Sequence, residues 1–369
     1  MRILDGEQDT CVIIDGKKVI NFCSNNYLSL ANDPRLKEAA IEAINKYGVG
    51  SGASRLVCGN MVLHEKLEEK IAEFKKTEAA LVFNSGYVAN LGIISAILDR
   101  ESICFSDKLN HASIIDGIIL SNANFKRFAH KDMESLENLL KNNSDFKNKL
   151  IISDTVFSMD GDIAPLKEIV RLAEKFSCPV MVDEAHATGV FGKNGVGMVE
   201  HFGLKDKIEV QMGTLSKAVG SFGAFVCGKK ELIDYLINFS RAFIYTTALP
   251  PAVCAASIKA IGIIQDEPER RIRLWQNVKF LKEGLAKIGF DTLESESPII
   301  PILTRDAMLT MEFSKKLFEE GLFIQGIRPP TVPVNQSRLR ITVTSQHSQQ
   351  DLEFALEKLK KIARGLCLL

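Results

Sequence analysis

The chain carries 46 basic and 46 acidic side chains in 369 residues, a formal net charge of zero, which gives it no electrostatic attraction to nucleic acid or to an anionic membrane. Its hydrophobic content of 46% over that length is enough to bury a large core in two or three domains. The eight cysteines include no C-x-x-C pair, the first ten residues lack a signal-peptide core, and no apolar run approaches the ~20 residues of a membrane helix, so a reduced, soluble, cytoplasmic protein without a metal site or a membrane partner is expected.

Residues 1–32 alternate short apolar runs with turns such as Asp15-Gly16, the pattern of an N-terminal arm packed on another surface. From Asp33-Pro34 to Tyr47, Leu36, Ala39, Ala40, Ala43 and Ile44 recur on one face of a helix. The glycine-rich GVGSGASR that follows, 48–55, comes after a helix, whereas a dinucleotide loop must follow a strand and open a helix. It is read as a flexible loop on the substrate side. A second helix is expected over 61–75.

From about 80 to 228 the pattern is strand, turn, helix, repeated. Strand-like runs lie at 80–83, 102–106, 124–128, 150–153, 179–182, 208–212 and 223–227. Helical segments separate several of them, among them 166–176, whose Leu166, Ile169, Val170, Ala173 and Phe176 form an apolar stripe. Such alternation predicts an α/β fold with a mostly parallel sheet and helices on both faces, and ligands there bind beyond the carboxyl ends of the strands. After Tyr245-Thr246-Thr247-Ala248-Leu249-Pro250-Pro251 the register changes. Residues 33–250 are therefore taken as a large domain and 251–369 as a smaller α+β domain. In the latter, a helix is expected at 252–265, a charged segment at 267–271, strands at 298–303, 322–327 and 338–343, and a closing helix at 351–363.

The chemistry starts at Lys217, in the stretch EVQMGTLSKAVGSFGAF (209–225). Apolar runs flank it, and Ala218, Gly220, Ser221 and Gly223 follow. A lysine crowded there can present a neutral amine to a carbonyl compound, because burial disfavours the ammonium. The partners point to pyridoxal 5'-phosphate (PLP). Asp183, ending the apolar run of PVMVDEAH (179–186), can keep a pyridine nitrogen protonated, and His186 lies three residues on. LVFNSGYVANLGIISAIL (81–98) reads as a strand, a Ser85-Gly86 turn and a helix, whose N-terminus suits a phosphate. His111, in SDKLNHASIID, can cover the ring, and Ser158, in DTVFSMDGD, can bond the phenolic oxygen.

Three motifs mislead. Asp183-Glu184-Ala185-His186 spells a helicase motif, but the only resemblance to a phosphate loop, GAFVCGKK at 223–230, lies downstream and lacks the metal-binding hydroxyl. His64-Glu65 does not continue to H-E-x-x-H. His130, His201 and His347 stand alone and are expected to be structural or at the surface.

Together these residues resemble the α-oxoamine synthases, a PLP-dependent branch of the aspartate-aminotransferase fold (fold type I), from NFCSNNYL (21–28) to Arg338-Leu339-Arg340. The resemblance implies that Lys217 binds the cofactor and later acts as general base. It implies that Asp183 pairs with the pyridinium, that His186 and Ser158 bond the phenolic oxygen, and that His111 stacks on the ring. Gly86, Tyr87 and Thr214 help place the cofactor, and Thr246 reaches the phosphate from the second subunit of a homodimer. Arg340 grips the amino-acid carboxylate, which suits a guanidinium fork. Asn26, Arg328 and Thr331 are further substrate contacts implied by the resemblance, and Arg2 is a candidate for the acyl end. IRPPTVP (327–333) resembles the members that join L-alanine to a pimeloyl thioester, on coenzyme A or on acyl carrier protein, in biotin synthesis. Relatives that use glycine with acetyl or succinyl thioesters, or serine with a long acyl thioester, are the alternatives. A catalytically silent partner subunit would lack the lysine, and here Lys217, Asp183 and His186 are all present.

Overall fold

The structure is a computed structural model describing residues 1–369. It divides into two compact units: unit 1 holds residues 1–32, 158–163 and 268–369, and unit 2 holds 33–157 and 164–267. No helix is long and apolar enough to cross a membrane, and all eight cysteines are free thiols.

In unit 1 the arm forms strands β1 (Leu4–Asp5), β2 (Cys11–Ile14) and β3 (Lys17–Asn21), paired antiparallel in that order. Alternation turns Val12, Ile14 and Val19 inward. Arg2 pairs with Asp15 at 3.1 Å and lies over the Phe318 ring at 3.5 Å, so its guanidinium is engaged within the arm's own packing.

Unit 2 is built on seven strands: β4 (Ala79–Phe83), β5 (Ser102–Asp107), β6 (Asn124–Phe128), β7 (Asn148–Asp154), β8 (Val180–Asp183), β9 (Val210–Thr214) and β10 (Ala224–Gly228). Their spatial order is β4-β10-β9-β8-β7-β5-β6. Only β10 runs against its neighbours, so the sheet is mixed and mostly parallel. Every strand-like run expected over 80–228 is a strand. The central strands are buried along their length, as sheets covered on both faces require. On one face the helix Gly86–Ile97 packs against the helix Ala112–Ser121. Gly117 permits this close approach: a Cβ there would stand 3.0 Å from the Asn90 carbonyl oxygen.

The helix Pro251–Asp266, assigned from the sequence to the smaller domain, belongs to unit 2 and packs on the helices Pro34–Tyr47 and Val62–Lys75. Arg35 fixes this arrangement by bonding both Asp33 (2.9 Å) and Glu267 (2.5 Å). The loop after Tyr47 is anchored rather than free in its second half. Ser51 Oγ donates to the Leu249 carbonyl at 2.5 Å, and Arg55 forks onto Glu68 with two bonds of 2.8 Å.

The remainder of unit 1 contains β11 (Ile299–Arg305), β12 (Leu322–Phe323), β13 (Gln325–Ile327) and β14 (Ser337–Thr342). The single strand expected over 322–327 is two: β12 pairs with β3, and β13 pairs with β14 in a different sheet. The charged segment at 267–271 opens the 21-residue helix Pro268–Ile288, whose Arg271, Leu274, Val278, Leu281 and Leu285 are buried.

His347 is buried in unit 1, stacked on Phe22 at 4.3 Å. Its Nδ1 accepts the Thr344 N–H at 2.9 Å, and its Nε2 faces the Asn21 carbonyl at 3.2 Å. Burial pushes its pKa down from 6.5 to about 4. The unfolded chain therefore takes up a proton below pH 6.5 that the folded chain refuses until about pH 4. Stability is untouched above that window and falls through it by about 1.4 kcal/mol per pH unit. Chemical denaturation at pH 7 and pH 4.5 should show this loss in the parent and a smaller loss in His347→Gln; equal losses would remove His347 as the cause.

Candidate active site

Asp183 ends β8 in the middle of the unit 2 sheet and is 4% exposed. One carboxylate oxygen accepts from Asn90 Nδ2 at 2.8 Å and the other from the Ala185 N–H at 2.8 Å. Beside it, Asp154 ends β7 in direct register and accepts the His111 N–H at 2.8 Å. Burial first, and then the charge of Asp183, raise the Asp154 pKa well above the carboxylate range. His111 caps the helix Ala112–Ser121, and its Nδ1 lies 2.8 Å from Ser113 Oγ. Burial lowers the His111 pKa; Asp183 and Asp116 oppose this, and Lys217 adds to it. Asp183, His111 and Lys217 are thus close enough to act on one another electrostatically.

Lys217 sits, half-buried, in the connection between β9 and β10, which form an antiparallel pair. That turn is tightly bonded. Leu215 N–H reaches the Gly223 carbonyl, Ser221 N–H the Leu215 carbonyl and Gly220 N–H the Lys217 carbonyl, each at 2.9 Å. Thr214, buried at the end of β9, donates to the Gly223 carbonyl at 2.9 Å and lies 2.7 Å from Ser216 Oγ.

The helix Gly86–Ile97 opens at the same edge, with Ser85 Oγ accepting the Val88 N–H at 3.2 Å. Its first N–H groups have no partners within the helix, and its dipole favours an anion. Gly86 leaves the approach open: a Cβ there would meet only Met212 Cε, at 3.6 Å. Tyr87 is exposed and donates its hydroxyl to Asp116. Asn84, just before the helix, holds Thr246 Oγ1 at 2.9 Å and the Thr247 carbonyl at 2.9 Å.

The turn after β8 separates the roles of its two acidic residues. His186, three residues after Asp183, is 9% exposed. Glu184 is fully buried, pairs with the buried Lys75 and accepts the Val199 N–H at 2.9 Å. Lys75 also donates to the Val196 carbonyl at 2.7 Å. The helicase-like spelling is therefore half functional candidate and half internal ion pair.

Unit 1 carries the second cluster. Arg340, 8% exposed on β14, donates to the Ser158 carbonyl (2.7 Å), Thr342 Oγ1 (3.0 Å) and Asn25 Oδ1 (3.1 Å). All three acceptors are neutral. Arg338, two residues away, instead pairs with Asp160 at 2.6 Å. A buried guanidinium without an acidic partner is the arrangement that receives an anionic ligand. Asn26 Oδ1 is used by the Leu30 and Ala31 N–H groups at 2.9 and 3.2 Å. Arg328 and Thr331 stand on an exposed turn, joined by a backbone bond of 3.1 Å.

The sequence expectations thus sort into two groups, one in each unit. Gly86, Tyr87, His111, Asp183, His186, Thr214, Lys217 and Thr246 lie in unit 2; Asn26, Ser158, Arg328, Thr331 and Arg340 lie in unit 1. Asn84, Asn90, Ser113 and Asp154 were not anticipated. Their signals were present: Asn90 is one helical turn beyond Gly86, Ser113 is two residues beyond His111, and Asp154 ends its strand as Asp183 does. His64, His130 and His347 have structural partners in Leu249, Asp107 and Asn21. A cavity of about 430 Å³, lined by Lys76, Glu78, Glu209 and Lys229, lies at the opposite end of β9.

The donor set of unit 2 fits PLP: a buried carboxylate for a ring nitrogen, a half-buried amine for an aldehyde, an imidazole beside both and a helix N-terminus for a phosphate. The family model for aminotransferase class I and II matches residues 17–359. The 8-amino-7-oxononanoate synthase of Thermoanaerobacter pseudethanolicus is 53% identical over 367 residues, covering 99% of this chain and 93% of that protein. A solved lysine-to-alanine variant of serine palmitoyltransferase from S. paucimobilis, with a bound PLP–myriocin aldimine, aligns with a TM-score of 0.97 at 34% identity, covering 100% of this chain and 94% of that one. The crystal structure of 8-amino-7-oxononanoate synthase from Francisella tularensis aligns with a TM-score of 0.82 at 32% identity, covering 94% of this chain and 98% of that one.

Proposed function

The chain belongs to the class I and II aminotransferase family, in its α-oxoamine synthase branch, and from that membership we propose that it joins L-alanine to a pimeloyl thioester in the cytoplasm. The products are 8-amino-7-oxononanoate, carbon dioxide and the free thiol carrier, a step of biotin synthesis. The observation that carries this reading is identity above one half along the whole chain with a synthase of that product, against one third with a serine-using relative.

PLP, when bound, supplies the electron sink that makes the α-proton of the amino acid removable. Asp183 provides the fixed negative charge for the ring nitrogen, and His186 and Ser158 the bonds to its phenolic oxygen. Lys217 would present its amine to the aldehyde and take the α-proton of L-alanine as general base. His111 lies over the ring. Gly86, Tyr87 and Thr214 border the phosphate and ring positions. Arg340 receives the L-alanine carboxylate in the place its neutral partners leave for an anion. Asn26, Arg328 and Thr331 face the substrates.

The protein works as a homodimer in which Thr246 serves the partner's phosphate. Supporting this are the large apolar side chains that unit 2 leaves exposed, among them Ile41, Leu56, Val57, Phe222 and Tyr245, since exposed apolar area is what an interface covers.

The test is product analysis. Purified protein with PLP is given L-alanine, glycine or L-serine, each with pimeloyl-CoA or pimeloyl-acyl carrier protein, and carbon dioxide and product mass are followed. L-Alanine is expected to be the productive amino acid. Faster turnover of glycine or serine would overturn the substrate assignment and leave the family intact.

A further inference from the structure

Asn90 is fully buried one turn into the Ser85-capped helix, yet its carbonyl Oδ1 has no hydrogen-bond partner. A buried acceptor left unmet is destabilising, and a helix position that needed only filling would be better served by leucine. What Asn90 has and leucine lacks is a pair of N–H donors. Both are used: one reaches Asp183 Oδ2 at 2.8 Å, the other Ser113 Oγ at 2.9 Å.

The direction of each bond in this chain follows from its two ends. Asp183 Oδ2 accepts, so the Asn90 atom facing it is the NH2 group. At the other end the backbone N–H of Ser113 points to His111 Nδ1 at 3.3 Å, so Nδ1 carries a lone pair. The Ser113 hydroxyl, 2.8 Å from Nδ1, therefore donates to the imidazole while accepting from Asn90.

We propose that Asn90 and Ser113 are positioning residues that tie the Asp183 carboxylate to the His111 ring, holding the imidazole as its Nε2–H form and fixing its rotation. The inference rests on the reading of His111 as the ring that lies over the cofactor. The His111 main chain is held separately, by Asp154 at 2.8 Å, so the Ser113 link governs the ring. Asp183, Lys217 and Asp116 are the charges acting on it, and burial disfavours its charged form. With Nδ1 occupied, Nε2–H is the one donor left for a substrate oxygen.

Of the six histidines, His111 can be assigned with His111→Gln in protein carrying 15N-labelled histidine and no cofactor. In the parent and in Ser113→Thr, His111 should show one protonated and one unprotonated nitrogen, well separated in shift. In Ser113→Ala, where only the longer backbone bond of 3.3 Å to Nδ1 remains, the two should move toward each other, and kcat should fall roughly tenfold at unchanged KM for L-alanine, the effect of one hydrogen bond on an orienting group. Ser113→Thr should restore both. Asn90→Leu, which keeps the volume and removes the donors, gives the same readout if Ser113→Ala does not fold. Parent-like His111 shifts in the folded variant would overturn the bridge. Parent shifts that respond to Ser113→Ala in a protein inactive toward every amino acid would instead sink the functional reading and leave the bridge standing.

Discussion

Lys217→Ala is expected to lower kcat by ~10⁴-fold or more, because one side chain performs two tasks that the variant loses together. In the proposed reaction it would hold the cofactor aldehyde covalently and would remove the α-proton. Its surroundings leave no substitute. The turn from Leu215 to Gly223 is closed by backbone bonds, so no neighbouring backbone segment can swing in. The other lysine of unit 2 buried near β8, Lys75, is held by Glu184 and the Val196 carbonyl. Two measurements check this. Borohydride treatment of the parent with PLP should leave the cofactor attached to a peptide containing Lys217, and the variant should retain none. Turnover of L-alanine with the thioester should vanish over the same comparison. Retained turnover would remove Lys217 as the base even if the covalent link were lost.

The second large effect is on stability. Lys75 and Glu184 are both buried completely, 109 positions apart in sequence. Glu184 also accepts the Val199 N–H, and Gly197 approaches its carboxylate so closely that a Cβ would stand 2.5 Å from Oε2. Lys75→Met leaves a carboxylate in this space with no counter-charge, which costs about 3–5 kcal/mol. Adding Glu184→Gln removes the stranded charge while keeping an acceptor for Val199. The double variant is expected to recover roughly half of the loss, since the two residues share one interaction. Chemical denaturation of the four proteins measures the cycle. A double variant as unstable as Lys75→Met alone would show that packing, not charge, is at stake.

The sheet of unit 2 was readable because most of its strands are short apolar runs bounded by turn residues, and burial on both faces makes such runs continuous; the edge strand β6, NFKRF, is the exposed exception. The strand ends were readable for the same reason, and they carry Asp183 and Thr214. Other features depend on tertiary partners. The strand end singles out Asp183, but nothing local says what Glu184, one residue on, does; Lys75, from a distant segment, makes it half of an internal ion pair, while Asn90 holds Asp183. Arg338 and Arg340 share a strand face by the two-residue period, yet only Asp160 makes the first a structural pair. The run 322–327 has the composition of one strand, and its division follows from two different pairing partners, β3 and β14. The helix Pro268–Ile288 begins with what the sequence shows only as a charged segment, because its buried stripe starts at Arg271.

The pairing of β12 with β3 joins Leu322 to Ile20, and this has a consequence during synthesis. At 5–20 residues per second the ribosome needs roughly 15–60 s to produce the intervening chain. Throughout that interval β3 has one edge without its partner, whereas the unit 2 sheet can close once β10 has emerged. The arm is therefore the segment most exposed to chaperone capture or to pairing with another nascent chain, and its short strands, with Lys17 and Lys18 on the outer one, limit that hazard in the way edge charges do.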